Sequence, residues 1–151
     1  MSLLHDFLIL DRDVDGEYEL LRFIHDPRAL HLHDDFVRYM SDTLGWIPSV
    51  NPALQSSQFG LCMHGPTIIE LEGAATSGRV FTLWADLLSI GPPVIELTGA
   101  FTWIDNPELD GKYERLNVDR DKTVQVLRQL ATWSGQVLLG NRRLYLFHLG
   151  I

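Results

Sequence analysis

The sequence predicts an α+β domain in which a mainly antiparallel sheet is covered on one face by two or three helices. Apolar residues recur at helical spacing in some segments and at every second position in others, and short turns join adjacent strand-like runs. Strict alternation of strands and helices is absent, as are the glycine-rich phosphate loops of nucleotide-binding folds. Because 151 residues that are 46% apolar can enclose one core, we expect residues 1–151 to form a single domain.

The first segments leave strand and helix open as alternatives. Residues 3–10 are a short apolar run, and residues 18–24 place apolar side chains either on one helical face or in alternation. From Asp34 the spacing predicts a helix of about three turns that Gly45 ends. Its apolar face is formed by four residues: Phe36, Val37, Met40 and Leu44.

The middle of the chain predicts a loop, a hairpin and a helix. Residues 46–57 are rich in proline and serine, which is typical of a loop. The apolar runs 58–64 and 67–72 are separated by a Gly-Pro pair, which favours two short strands. Residues 78–90 return to helical spacing, and Gly91 with two prolines ends that helix.

The clearest strand pattern follows Gly91. Four apolar residues share one face of this strand, namely Ile95, Leu97, Phe101 and Trp103. Within it, Gly99 predicts a bulge or bend. A polar loop at 105–111 then connects to a short strand over 114–118.

The last segments predict a helix and a second hairpin. The helix begins at Asp119 and is predicted to stop at Gly135. Residues 136–139 and 143–149 are expected to be the paired strands, with a Gly-Asn turn between them.

The net charge of −8 lies entirely in the first half of the chain. Residues 1–75 carry twelve carboxylates and four arginines, whereas residues 76–151 carry eight acids and eight bases. Summed charge of this size influences which partners a surface attracts, although it does not determine a fold. It also disfavours general nucleic-acid binding, which needs clustered Lys and Arg.

Several features predict a soluble cytoplasmic protein. The N-terminal residues lack the basic start of a secretion signal, and the apolar runs are far shorter than a membrane span. Cys62 is the only cysteine, so no intramolecular disulfide can form. His64 would share a strand face with Cys62, but the surrounding apolar residues favour a buried structural thiol over a nucleophile.

Residues 11–16 match the D-x-D-x-D-G opening of a calcium loop. Asp11, Asp13 and Asp15 could turn three carboxylates onto one cation, and Gly16 would permit the bend. At the twelfth position, where such loops have a bidentate glutamate, this chain has Arg22. The alternative is an acidic β-turn, for which Asp and Gly are favoured residues.

His31, His33 and Asp35 form an H-x-H-x-D pattern. Two histidines at alternate positions of an extended chain point the same way, which suits Zn or Fe with a nearby carboxylate. The five residues resemble the start of the metallo-β-lactamase motif H-x-H-x-D-H, with Phe36 at its last position. The alternative is that Asp34 and Asp35 begin a helix and both histidines are ordinary surface residues.

The charge pattern favours an acidic protein-interaction module that binds a partner with a basic surface. Small inhibitors such as bacterial immunity proteins are often of this size and sign, because opposite charge speeds association. The side chains expected at the contact are seven: Asp11, Asp13, Asp15, Glu17, Asp34, Asp35 and Trp46. Trp46 lies at a predicted helix end, where it either anchors a contact if exposed or closes the core if buried.

Two other functions stay open at this point. A metal-dependent enzyme would use His31, His33 and Asp35 with a divalent metal. A small-ligand binder would use an aromatic pocket beside the sheet, lined by Trp84, Phe101, Trp103 and Trp133. The sequence contains no complete set of catalytic residues, and we expect neither an enzyme nor a cofactor.

Overall fold

The computed structural model describes residues 3–17, 19–102 and 111–151. Its strands are β1 (Leu4–Asp11), β2 (Leu30–His33), β3 (Pro48–Asn51), β4 (Ser56–Phe59), β5 (Pro66–Ile69), β6 (Val94–Thr102), β7 (Lys112–Asp119) and β8 (Leu144–Leu149). Its helices are α1 (Leu20–Phe23), α2 (Asp34–Tyr39), α3 (Ser41–Leu44), α4 (Leu71–Ser89) and α5 (Arg120–Leu139).

Six strands form one antiparallel sheet in the order β2-β1-β8-β5-β3-β4, and β6 pairs with β7 as a separate two-stranded ribbon. The predicted α+β class with a mainly antiparallel sheet is therefore confirmed. Strands β1 and β8, which come from opposite ends of the chain, are neighbours in the interior of this sheet, and Asp11 is paired with Leu144. This pairing brings the two halves of the charge pattern together.

The two faces of the sheet bury separate clusters. Leu146 of β8 packs with Phe7 of β1 in a core that α2, α3, α4 and α5 cover. Tyr145 and Phe147, which alternate with Leu146, lie on the opposite face and pack with Phe23 of α1. The long helices thus cover one face, as expected, while a single-turn helix closes part of the other.

Helices α4 and α5 cross the sheet antiparallel to each other. Ser77 donates a hydrogen bond to Ser134 over 2.9 Å, and Asp86 pairs with Arg128 at 3.1 Å farther along. A Cβ on Gly78 would lie 3.3 Å from that of Ser134, so small residues set the close approach of the helices. Among the described residues, no helix is long and apolar enough to cross a membrane.

The ribbon of β6 and β7 extends from the end of α4 to the start of α5. Ile95 pairs with Val118, and both are buried beneath the ribbon. The register shifts between Thr98 and Phe101, so the bulge expected at Gly99 is present. Trp103, predicted on the apolar face of this strand, lies outside the described residues.

Four predicted elements differ from the structure. Residues 46–57, predicted as a loop, contain β3 and the start of β4, which pair with each other in the sheet. Residues 136–139 belong to α5, because Val137 continues its buried face and nothing lies within 4 Å of a Cβ on Gly135, so the helix passes through this glycine. Helix α4 begins at Leu71 rather than 78, since small residues in its first turns lack an apolar period. Residues 60–65 leave the sheet after β4, so Cys62 and His64 do not share a strand face.

Candidate functional site

The acidic turn at 11–17 is already paired with arginines of the same chain. Four contacts engage its carboxylates: Arg143 with Asp11 at 2.7 Å, Arg143 with Asp13 at 3.8 Å, Arg28 with Asp15 at 3.1 Å, and Arg12 with Glu17 at 3.4 Å. Asp15 is also buried, and its carboxylate accepts a hydrogen bond from the backbone of Asp11. The turn therefore offers a partner less free negative charge than its sequence suggests.

The position that departs from the calcium-loop pattern has a definite role in this turn. Arg22 donates a hydrogen bond to the backbone carbonyl of Asp15 over 2.6 Å. In a calcium site, a glutamate at this position would bind the cation. Here the guanidinium of Arg22 contacts a carbonyl oxygen of the loop instead. Residues 11–16 therefore form an acidic turn to which Arg22 is hydrogen-bonded.

The H-x-H-x-D residues fall into two separate arrangements. Strand β2 does place His31 and His33 on one face, but His31 bonds Asp6 of the neighbouring strand at 2.7 Å. His33 instead accepts a hydrogen bond from the backbone of Asp35 and so caps α2. In the described part of the chain, no group of three or more His, Cys, Asp or Glu side chains could hold a metal ion.

Three histidines line one groove beside these strands without forming such a group. A groove of about 800 Å³ is bordered by His25, His31 and His64 together with Asp6. His64 bonds the carbonyl of Ile151 over 3.1 Å, so its ring is oriented toward the backbone. The metal-enzyme hypothesis gains no support from this groove.

Asp34 lies in the interior, unlike the surface position expected for a contact residue. Its side chain accepts a hydrogen bond from Nε2 of His5 at 2.9 Å and another from Nε of Arg38 at 2.6 Å. The residue is 3% exposed. Burial opposes its ionisation, but the hydrogen bonds from His5 and Arg38 hold the pKa of Asp34 below its ordinary value.

His5 connects Asp34 to a second buried histidine. Nδ1 of His5 lies 2.8 Å from Nε2 of His148, and the two rings stack with centroids 5.1 Å apart. Burial lowers the pKa of His5 despite the opposing effect of Asp34, and burial lowers that of His148 well below the ordinary value. Both rings are therefore neutral at pH 7.

The exposed face of α2 and α3 carries an acid-aromatic pattern. We call Asp35, Tyr39, Asp42 and Trp46 the α2–α3 stripe; their spacing of four, three and four residues is that of one helical face. Met40 keeps helical backbone angles between the two helices, and Gly45 does so after α3. No described Lys or Arg forms an ion pair with Asp35 or Asp42.

Trp46 is the most exposed aromatic of the stripe, with 65% of its surface open to solvent. Of the two alternatives for Trp46, the structure therefore has the exposed one. Phe59, 72% exposed, lies on the adjacent segment. Ile47 follows Trp46 in the chain, and Gly60 follows Phe59. The backbone N–H of Gly60 donates a hydrogen bond to the carbonyl oxygen of Ile47 over 2.8 Å. The two rings thus project from neighbouring chain segments.

The other described tryptophans, Trp84 and Trp133, are partly buried and pack against the main core. Trp84 donates its indole N–H to Thr43 over 2.8 Å and contacts the rings of Phe36 and Tyr39 edge-on. The positions of Trp84 and Trp133 therefore do not support the aromatic-pocket hypothesis. Trp103 lies outside the described residues.

No sequence pattern indicated His5, His148 or Arg38 as residues of a site. A partial signal was present for the histidines, since each lies at alternate spacing with apolar residues of its strand. Only the pairing of β1 with β8 brings them together, and no local pattern predicts that pairing.

Comparison with protein-family models, with curated proteins and with solved structures gives no match to this chain. Two features of the chain's own residues bear on function: the α2–α3 stripe on the surface and the buried hydrogen-bond chain His148–His5–Asp34.

Proposed function

We propose that the protein is an interaction module that binds a basic partner protein through the α2–α3 stripe and Phe59. The observation that carries this proposal is the exposure of Trp46, which is 65%, beside carboxylates that no described Lys or Arg neutralises. Exposed tryptophan and tyrosine are the side chains that most often dominate binding energy at protein interfaces. Burying these side chains at an interface costs little conformational entropy, because they have few rotatable bonds.

Charge supports the same choice of surface. Asp35 lies near the histidine His33 at 3.4 Å, and Asp42 is exposed on the next turn of the stripe. By contrast, the carboxylates of the acidic turn already pair with arginines, as Asp11 does with Arg143. A partner arginine or lysine would therefore gain more from the stripe than from the turn.

The partner class that fits is a protein whose own function needs a basic surface, such as a nuclease. An inhibitor of the immunity type would occupy that surface and compete with nucleic acid. The net charge of −8 would speed the encounter, and the aromatic residues would hold the complex once formed.

Substitution at Trp46 tests this proposal. The chain is immobilised, captured proteins are identified by mass spectrometry, and the dissociation constant of the purified complex is measured by calorimetry. Trp46→Ala is expected to weaken binding at least 30-fold, equivalent to about 2 kcal/mol. Stability should change by less than about 0.5 kcal/mol, since the side chain is exposed.

Matched variants separate the stripe from other surfaces. Leu54→Ala removes a side chain that is 74% exposed in another loop and should leave binding unchanged. Asp42→Arg should weaken binding and reduce its dependence on salt, whereas Asp13→Arg in the acidic turn should have a small effect. A partner that binds Trp46→Ala as tightly as the parent chain, or that responds only to Asp13→Arg, rules out the stripe as the contact surface.

A further inference from the structure

The buried histidine pair joins three elements of the fold. His5 lies on β1, His148 on β8, and Asp34 begins α2. The chain of hydrogen bonds runs from His148 to His5 over 2.8 Å and from His5 to Asp34 over 2.9 Å. Both rings are buried, at 0% and 1% exposure. Helix α2 is thus tied to the centre of the sheet by a path made entirely of titratable groups.

The hydrogen-bond chain fixes where the protons lie. The Asp34 carboxylate only accepts, so Nε2 of His5 carries a proton and donates it. With neutral rings, Nδ1 of His5 then accepts from Nε2–H of His148. Nδ1 of His148 is left as a buried lone pair without a hydrogen-bond partner among the described residues.

A further proton has no favourable place in this closed arrangement. On Nδ1 of His148 it would create a buried cation whose N–H has no acceptor. On Nδ1 of His5 it would force His148 into its other tautomer, which leaves the same buried N–H without an acceptor. The charged or titratable groups that face His5 are Asp34, Arg38, His64 and His148, and of these only Asp34 favours a cation.

Helix α2 is the element that can open to relieve a buried cation. Strands β1 and β8 are both paired on two sides within the sheet, so neither imidazole can move out with its strand. Helix α2 has only six residues, and Arg38 at its far end is more than half exposed. Although Phe36 and Val37 anchor α2 in the core, a six-residue helix outside the sheet opens at lower free energy than strands that are paired on both sides.

We propose that the His5–His148 pair is a proton-sensitive latch, which holds the first turn of α2 against the sheet while both rings are neutral and releases it when they are protonated. In the closed state the pKa of each histidine lies below the ordinary value of about 6.5, so the closed state binds fewer protons than the open one. Closure is therefore stable above about pH 6.5 and is lost as the pH falls below it.

The latch has a consequence for binding that rests on the proposed function. The first turn of α2 carries Asp35, and Tyr39 ends the same helix. If the α2–α3 stripe contacts the partner, opening of α2 disrupts that surface, and the complex dissociates in acid. The latch itself is tested without any partner, so its failure and that of the proposed function are separate results.

Amide hydrogen exchange of the full 151-residue chain between pH 7.5 and 5.0, corrected for the intrinsic rate, measures the latch. The open fraction of α2 is expected to rise about tenfold per pH unit below 6.5 for each proton taken up. The interior of α5 should keep its protection over the same range. Protection of α2 that does not depend on pH, or loss of protection in α2 and α5 together, overturns the proposal.

Variants identify the histidines as the cause. The double change His5→Gln with His148→Gln keeps a donor for Asp34 and an amide pair in place of the ring pair, but it removes both titrating groups. The pH dependence of α2 opening should then disappear, whereas His31→Gln, at an exposed histidine, should retain it.

Histidine NMR of the unmodified chain gives a readout that does not depend on folding of the double variant. The rings of His5 and His148 are expected to stay neutral until α2 opens. A ring that titrates near pH 6.5 while α2 remains fully protected would show that the pair accepts protons without opening, which contradicts the latch.

Discussion

Replacing Asp34 with leucine is expected to lower the free energy of unfolding by about 3 kcal/mol. Leucine has a similar size, but it leaves Nε2–H of His5 without an acceptor at a position that water does not reach, since Asp34 is 3% exposed. It also removes the carboxylate that Arg38 contacts at 2.6 Å, which adds less because Arg38 is largely exposed. Urea denaturation at pH 7.5 measures the loss.

Two further variants isolate the hydrogen bond from general effects on α2. Asp35→Leu changes the neighbouring carboxylate, which is about half exposed, and should cost about 0.5 kcal/mol through the lost helix-terminus charge. Asp34→Asn retains an oxygen that accepts from His5 and should cost about 1 kcal/mol. Equal losses for Asp34→Leu and Asp35→Leu would mean that the buried chain does not stabilise the fold.

Local periodicity was sufficient to predict the class of the fold. The alternation of Ile95 and Leu97 and the helical spacing around Phe36 both depend on residues close in sequence, and both elements are present. The predicted helix end at Gly135 was wrong, because a glycine inside a helix and one that ends it look alike in sequence. The difference lies in Val137, whose burial in the core continues the packed face of α5 and depends on tertiary contacts that local spacing does not contain.

The charge pattern could not be interpreted from sequence because the pairing of strands redistributes it. Arg143 belongs to the neutral half of the chain, yet the register of β1 with β8 places it beside Asp11. Arg142 likewise reaches Glu72 of α4 at 2.6 Å. The acidic half is thus partly neutralised by the other half at the acidic turn, whereas no described Lys or Arg pairs with Asp35 or Asp42 of the stripe.

The buried site depends on contacts between residues far apart in sequence. His5 and His148 are separated by nearly the whole chain, and a single histidine in an apolar strand gives no indication of a partner. Trp46 is the opposite case. The sequence left two alternatives for it, an exposed contact residue or a buried core residue, and its exposure in the structure decides between them. Sequence therefore indicated two residues of the proposed surface, Asp35 and Trp46, and gave no indication of the buried histidine pair.

A second large effect is expected at the point where α4 meets the sheet. Gly73, in the first turn of α4, lies directly against the backbone of β3, and a Cβ on it would be 2.0 Å from the carbonyl oxygen of Pro48. No rotation of a side chain relieves this contact, because the obstructing atom belongs to the backbone. Gly73→Ala must therefore move α4 away from β3, and we expect a loss of about 3 kcal/mol in the free energy of unfolding.

Gly135→Ala provides the matched control within the partner helix. Nothing lies within 4 Å of a Cβ at Gly135, so alanine is expected to raise the free energy of unfolding by about 0.5 to 1 kcal/mol through its helix propensity. Opposite signs for the two glycines, measured by thermal and urea unfolding, would establish that α4 is seated by direct backbone contact. If Gly73→Ala were stabilising like Gly135→Ala, α4 would be free to shift on the sheet, and the close approach to Pro48 would not contribute to its position.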